Sequence, residues 1–514
     1  MKNNLFGDNL KYDLKSSLVV FLVALPLCLG IAVASGAPPM AGLIAGIIGG
    51  IVVGSFSGSN VSVSGPAAGL TVIVLDAISS LGTFELFLAA VVAAGIIQFI
   101  LGLLKAGILG YYFPHSVIKG MLTAIGLILI LKQIPHAFGY DKDTMGDEAF
   151  LQADSHNTIT EIWYAIQYFS PGAIPIVLIS LALIIFFEKP QIKNHRIFGL
   201  VPGALWAVIA GIVINQLYGV IQPSWQLDGE HLVSIPVASS LAGLGDLLTF
   251  PDFGLVLTPE FWIIAFTIAV IASIETLLCL EAGDKMDPYK RISPASKELV
   301  AQGIGNTVSG LIGGLPVTAV IVRTSANVNS GAKTKMSAVF HGVLLLVLVI
   351  GIANILNMIP LSCLAAVLFV VGYKLAKPAL FINEYKKGWN QFIPFVVTVI
   401  AILFTDLLVG IGIGMVFGIF FVIRTNYQNA IIMTQQNGKY LVKLQKDVSF
   451  LNKASLMKKL SEIPPESDVI LNASQAGFID HDIQEVLNDF IDSSTDKNIN
   501  VSIEGFDYNL KKVL

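Results

Sequence analysis

The sequence predicts an α-helical polytopic membrane protein that ends in a small α/β unit. Three observations predict it. Of the 514 residues 54% are hydrophobic and only 13% charged, about half the charge of a soluble globular domain. Charge is also uneven: residues 437–514 hold 21 of the 66 Lys, Arg, Asp and Glu, leaving 45 for the 436 residues before them. Finally, apolar runs approaching the roughly 20 residues that cross a hydrocarbon layer recur from 16 to 423. The chain therefore divides into a membrane domain, 1–436, and a soluble one, 437–514.

The stretch 16–57 holds two spans, broken near Pro38 and Pro39. Clear runs follow at 84–104, 172–187, 262–280, 339–357, 361–373, 392–405 and 407–423. Shorter or Gly/Pro-interrupted runs lie at 66–81, 116–134, 198–217, 298–315 and 316–330, with 101–113 admitted as half of a tight pair. That gives about 12 to 14 crossings. Loop charge narrows the number, because cytoplasmic loops are rich in Lys and Arg. The connection 136–171 sets Lys142 against Asp141, Asp143, Asp147, Glu148, Asp154 and Glu161, and 218–260 has five acids and no Lys or Arg, so both read as external. The groups Lys189/Lys193/Arg196, Lys285/Lys290/Arg291/Lys297 and Lys374/Lys377/Lys386/Lys387 read as internal, as do Lys2, Lys11 and Lys15. Fourteen spans with both termini inside satisfy every loop. The first run is expected to be a retained span and not a removed signal peptide. In the tail, Tyr440–Leu444, Asp468–Asn472 and Ile499–Ile503 read as strands, Ala454–Ile463 and Ile483–Ile491 as helices.

Gly42, Gly46, Gly50 and Gly54 repeat every four residues, as do Gly410, Gly414 and Gly418. Such stripes let helix backbones approach closely, and intramolecular packing is the expected use. Two short Gly/Pro-interrupted segments form a pair. Asn60-Val-Ser-Val-Ser-Gly-Pro66-Ala-Ala-Gly69 opens one and Gly313-Gly-Leu-Pro316-Val-Thr318 the other, with the prolines 250 residues apart. Matched interruptions of this kind mark binding sites in carriers built from inverted repeats. A helix that starts at mid-membrane leaves its first N–H groups unpaired and carries roughly half a positive charge there. Two such ends facing each other suit an anion.

Two charges in apolar surroundings stand out, since intramembrane ionisable residues are functional candidates. Arg323, in Ala319-Val-Ile-Val-Arg-Thr-Ser, lies about one turn into the second half-helix and can add positive potential. Glu275, in Ile271-Ala-Ser-Ile-Glu-Thr-Leu-Leu-Cys, can take up a proton or help hold a cation. Asp76, Asp406, Lys119 and Lys132 lie nearer span ends, where snorkelling accounts for them. Cys28, Cys279 and Cys363 have no disulfide or zinc spacing. No P-loop, dinucleotide or two-His ligand pattern occurs, so neither an enzyme nor a cofactor is expected. A net charge of −4 offers nothing to nucleic acid.

At these residues the chain resembles the SulP (sulfate permease-like) anion transporters over nearly its whole length. The resemblance rests on Pro26-Leu-Cys-Leu-Gly-Ile-Ala and Ala34-Ser-Gly-Ala-Pro38-Pro39-Met-Ala-Gly42-Leu43. It rests more specifically on Gln302-Gly-Ile-Gly-Asn306, Gly313-Gly314-Leu-Pro316, Arg323-Thr324 and Asn327-Val-Asn-Ser-Gly331-Ala-Lys333-Thr334. It implies fourteen segments in a seven-plus-seven inverted repeat with core and gate domains, a cytoplasmic STAS-like domain and a homodimer. Substrate is then expected at Ala67, Ala68 and Gly69 and at Thr318, Ala319, Val320 and Ile321, beside Arg323. Some STAS domains carry an Asp-Ser phosphorylation pair; this chain has Asp480-His481. Many relatives have Gln where Leu27 stands. Sodium-coupled bicarbonate members use an Asp and two Thr, where Glu275, Cys279 and Ile321 stand here. Losing two oxygen ligands favours proton over sodium coupling.

The sequence thus reads as a secondary transporter of a small anion in the cell membrane, with sulfate or bicarbonate leading and a dicarboxylate third. Its rivals are a passive anion channel or exchanger, a nucleobase–cation symporter of the same fold, and a membrane-embedded sensor signalling through its tail.

Overall fold

The computed structural model describes residues 9–142, 150, 157–193, 201–235, 248–428, 430–436 and 438–505. Among the loop charges used above, Lys2, Asp143, Asp147, Glu148, Asp154 and Arg196 lie outside the described residues. Two compact units result: Met1–Lys387 with Phe392–Met415, and Gly388–Gln391 with Val416–Leu514.

The first unit opens with α1 (Leu10–Ala34), which has no polar stripe and is buried at most positions, as expected of a helix surrounded by others. α2 (Pro39–Ile48) starts with proline at a position where a missing N–H is harmless. It continues through a π-turn, Gly49–Val53, to Phe56. The glycine stripe packs inside the chain. Gly46 faces the Cys28 thiol and Leu345, Gly50 faces Gly342, and Gly54 faces Ala338. Next come β1 (Ser64–Pro66), a 3-10 turn at Ala68–Leu70 and α3 (Thr71–Leu81), closed by Gly82 at φ 90°. α4 (Phe84–Leu103), α5 (His115–Phe138), α6 (Thr158–Gln167), α7 (Ala173–Glu188) and α8 (Gly203–Ile221) follow. Then come α9 (Pro259–Met286), α10 (Ala295–Leu311), β2 (Val317–Ala319), α11 (Ile321–Asn329), α12 (Met336–Leu356) and α13 (Leu361–Leu375). α14 (Pro378–Lys386), α15 (Trp389–Phe404) and α16 (Leu407–Gln428) end the series.

Among the described residues nine helical segments are long and apolar enough to cross a membrane. Ala68–Leu81, Ala173–Glu188 and Trp389–Phe404 are shorter and also apolar. Three expectations need correction. Residues 101–113 form no span: α4 stops at Leu103, Lys105 adopts φ 61°, and a 3-10 turn covers Ala106–Tyr112. That turn lies so close to Ala295 and Ser296 that a Cβ on Gly107 would collide with their backbone. Lys132 does not snorkel; its Nζ is buried without a hydrogen-bond partner among the described residues. The two prolines are not counterparts, because Pro66 ends β1 whereas Pro316 precedes β2. Gly65 and Thr318, which pair across the strands, lie 253 positions apart, as do Ala68 and Ile321 at the starts of the two helical segments.

The second unit contains a four-stranded sheet in the order β3 (Ile431–Gln436), β4 (Lys439–Leu444), β5 (Asp468–Asn472), β6 (Asn500–Glu504). β3 and β4 are antiparallel; β4, β5 and β6 are parallel. α17 (Lys453–Ser461) and α18 (His481–Ser494) make the crossovers that parallel strands require. Val442, Val469 and Leu471 pack with Leu456, Leu460, Ile483 and Leu487. A boundary at 437 falls one strand late. β3 carries no charge, so the density of charge could not reveal it.

Candidate functional site

Two three-residue strands form the centre of the first unit. β1 and β2 pair antiparallel, Ser64 with Ala319, Gly65 with Thr318 and Pro66 with Val317, and all six residues are buried. Non-helical backbone survives at such depth only where protein groups meet its polar atoms, and here they do. The Val320 N–H donates to the Val63 carbonyl (2.9 Å), the Val63 N–H to Thr324 Oγ1 (3.1 Å) and the Ala319 N–H to Thr276 Oγ1 (3.3 Å). Asn306 grips Val317 with both ends of its amide. Its Oδ1 accepts the Val317 N–H at 2.5 Å and its Nδ2 donates to the Val317 carbonyl at 3.0 Å. Gln302 Nε2 donates to Ser64 Oγ at 2.7 Å, and Asn327 Nδ2 to the Val61 carbonyl at 2.9 Å. The polar residues of the 302–306 and 327–334 motifs thus fasten the strand pair and its approaches.

Antiparallel pairing sends the two following helices in opposite directions from one centre. In α11 the first amide with an intrahelical acceptor is that of Thr324, bonded to Val320. The amides of Ile321, Val322 and Arg323 lie ahead of it. At the other start, the Leu70 N–H bonds to Ala67, with the amides of Ala68 and Gly69 ahead. Both positive helix ends therefore face the middle of the unit.

A cavity adjoins them. It is lined by Leu27 and Ile31 of α1, Ala68, Ile125 of α5, Glu275 and Cys279 of α9, Val320, Ile321, Val322 and Arg323, and Leu407 of α16. Its free volume of about 20 Å³ holds roughly one water. Of the residues expected from sequence, Ala68, Val320, Ile321, Arg323 and Glu275 meet here. Ala67, Gly69, Thr318 and Ala319 do not line the cavity. Thr318 and Ala319 are fixed in the strand pair, and Ala67 caps the 3-10 turn. Gly69 acts from behind: a Cβ there would lie 3.2–3.3 Å from the Glu275 carboxyl atoms. Glu275 thus sits against the start of the first half-helix. Ile31, Ile125 and Leu407 were not singled out from sequence, since single apolar residues in apolar runs carry no signal.

Arg323 is fully buried. Its guanidinium lies between α1, α2 and β1, where a Cβ on Gly65 would collide with it. Nη2 donates to Sγ of Cys28 at 3.3 Å, and Nε and Nη1 have no hydrogen-bond partner among the described residues. The charge is therefore held without a hydrogen-bonded carboxylate, and its field is not spent locally.

Fold and site together define a multi-pass membrane protein whose half-helices meet at a buried strand pair. The chain belongs to the sulfate permease family, whose pattern matches residues 10–401. YvdB of Bacillus subtilis is 28% identical over 437 residues, covering 84% of this chain and 77% of that one. The bicarbonate transporter BicA of a Picosynechococcus strain is 27% identical over 426 residues, 80% of this chain and 70% of its own. The solved transmembrane domain of a cyanobacterial BicA superposes with a TM-score of 0.55 at 26% identity, covering 80% of this chain and 98% of that one. SLC26A9 shares the fold over 98% of this chain and 85% of its own, with a TM-score of 0.68 at 16% identity.

Proposed function

We propose that this protein is a secondary active transporter of a small anion, with sulfate or bicarbonate the leading substrates and a dicarboxylate third. The observation that carries the reading is the meeting of two unpaired helix ends beside one cavity, with Arg323 buried uncompensated behind them. Helix ends and guanidinium all favour negative charge in a medium where unmet donors are costly. The named activity of BicA supports the same class of substrate. Apart from Glu275, Cys279 and Arg323 the lining is apolar, with few polar side chains for a nucleobase ring, which weighs against a nucleobase symporter.

Glu275 is the proposed coupling group, and Cys279 and Ile321 line the same cavity. A hard cation wants several oxygen ligands; one carboxylate suits a proton better than sodium. The nine long apolar segments, the three shorter ones (the first half-helix, Ala68–Leu81, among them), the second half-helix and α10 fit fourteen segments in a seven-plus-seven repeat. A shared offset of 253 across the strand pair and both half-helix starts supports the repeat. We place the protein in the cell membrane with both termini cytoplasmic, the α/β tail as a STAS-like domain, and the chain as a homodimer. Uptake of labelled sulfate, bicarbonate and a dicarboxylate into proteoliposomes under imposed proton or sodium gradients tests this. Accumulation of none of them under either gradient overturns it.

A further inference from the structure

A second ionisable cluster lies away from the cavity, on the connections read as external. Asp141 accepts hydrogen bonds from two histidines, Nδ1 of His136 at 2.6 Å and Nδ1 of His231 at 2.7 Å, one on each carboxylate oxygen. The Asp141 and His136 side chains are almost fully buried, and His231 is 21% exposed. An ionised carboxylate only accepts, so both rings are held with the proton on Nδ1. His231 therefore gains its charge at Nε2. Beside it opens a cavity of about 220 Å³ lined by Tyr140, Lys142, Tyr168, Ser170 and Glu230.

His231 belongs to a strap, residues 225–235, tied at several places. Asn215 of α8 holds both backbone groups of Leu227, at 2.8 and 2.9 Å. The Trp225 carbonyl abuts Gly172 before α7, so closely that no Cβ fits there. The Val233 N–H donates to the Ile359 carbonyl (3.0 Å), and Asn357 after α12 holds both backbone groups of Ile235, at 2.6 and 3.0 Å. The strap thus joins α5, α7 and α8 to the turn between α12 and α13.

We propose that His136, Asp141 and His231 form a proton-operated clasp on this strap, a site separate from the anion cavity that sets how fast the protein cycles. The effect on cycling rests on the transport reading above; the clasp itself does not. The hydrogen bond to Asp141 raises the pKa of His231 above its ordinary 6.5, aided by the charges of Asp141, Glu230 and Asp228 and opposed by burial. Burial acts to raise Asp141, but its bonds from His136 and His231 outweigh this and hold it below its ordinary 3.8. Lys142 borders the cavity, and Lys132 lies one turn before His136 on α5. The start of α7, the end of α8 and the 357–360 turn bring no charge to it. The sign follows from linkage. A raised histidine stabilises fully below about 6.5 and loses that contribution as pH rises through its folded value. A charge-assisted hydrogen bond is about twice as strong as a neutral one. The clasp is therefore tight in mild acid and loosens as the external side turns alkaline.

The test uses the full-length chain, wild type and His231→Gln. In proteoliposomes, equilibrium exchange of labelled sulfate and of labelled bicarbonate is followed while external pH alone is varied. We expect the wild-type rate to rise about fivefold from about pH 6 to about pH 9, with unchanged half-saturation. His231→Gln should be flat at the upper rate. A variant that keeps the wild-type profile, or a profile reproduced by internal pH, overturns the proposal. Hydrogen exchange of the Val233 and Ile235 amides reads the clasp without transport. Wild-type protection should exceed that of His231→Gln about fivefold at about pH 6 and match it at about pH 9; equal protection at both overturns the clasp. If neither anion exchanges at any pH, the transport reading fails and hydrogen exchange still decides the clasp.

Discussion

Replacing Arg323 by Met separates charge from packing. The side chain is fully buried, and Met is a flexible apolar filler of similar length. Arg323 is the third residue of α11, and for an anion at that helix start a separation on the order of 8 Å, between one and two helical turns, sets the scale. Two unit charges at that distance interact by about 2 kcal/mol at an effective dielectric constant of about 20. Removing the charge should thus weaken binding about 30-fold. Stability should move the other way. The guanidinium has one bond to a thiol and two nitrogens without a hydrogen-bond partner, so its burial is poorly compensated. Exchanging such a charge for an apolar side chain is neutral or stabilises by about 1–4 kcal/mol. The assay pairs half-saturation for labelled sulfate and bicarbonate with thermal unfolding in anion-free detergent, since bound ligand would itself stabilise. Unchanged affinity, or affinity and stability falling together, refutes the reasoning and leaves Arg323 a structural part.

Glu275→Gln should abolish gradient-driven accumulation and leave residual anion exchange in proteoliposomes; undiminished accumulation removes Glu275 from coupling. Gly69→Ala would place a methyl 3.2–3.3 Å from the Glu275 carboxyl atoms, pushing the carboxyl off the helix end. We expect fewer protons carried per anion, with a stability loss of about 1 kcal/mol, read by paired proton and anion flux; an unchanged ratio would count against that placement. Asn306→Leu strands the N–H and carbonyl of Val317, each worth about 1–3 kcal/mol when buried unmet. A clear fall in unfolding midpoint should follow, and wild-type stability would show the clamp to be dispensable.

Much of this was legible in the sequence because membrane physics writes in long, coarse signals. Apolar runs place the helices, and Pro66, Gly69 and Pro316 mark the two interruptions, since continuous helix needs none of them. The strand pair was half legible. Val-Ser-Val-Ser reads as extended chain, but its last residue, Ser64, pairs with Ala319, 255 positions away, and only the fold supplies that partner. The offset of 250 misled because proline ends a strand in one half and precedes one in the other. Glu275 and Arg323 stood out through rarity. The residues that complete the cavity, Ile125 and Leu407 among them, did not, because an apolar side chain in an apolar run looks the same whether it faces lipid, protein or substrate. The His136–Asp141–His231 clasp was equally hidden, with its members spread over 96 residues and met only by the return of the strap.

The size of the cavity bears on how such a protein could work. A free volume of about 20 Å³ holds roughly one water, and sulfate has five heavy atoms, so admitting it requires the walls to part. The walls are unequal. On one side the strand pair and its approaches are tied by hydrogen bonds donated by Gln302 and Asn306 and accepted by Thr276 and Thr324. Opening there would strand buried polar groups at about 1–3 kcal/mol apiece. On the other side Ile125 and Leu407 face the cavity with apolar side chains, and parting them gives up only packing. Movement along that apolar seam would keep the proposed anion site intact while access changes, which is the behaviour an alternating carrier needs and a permanently open pore does not.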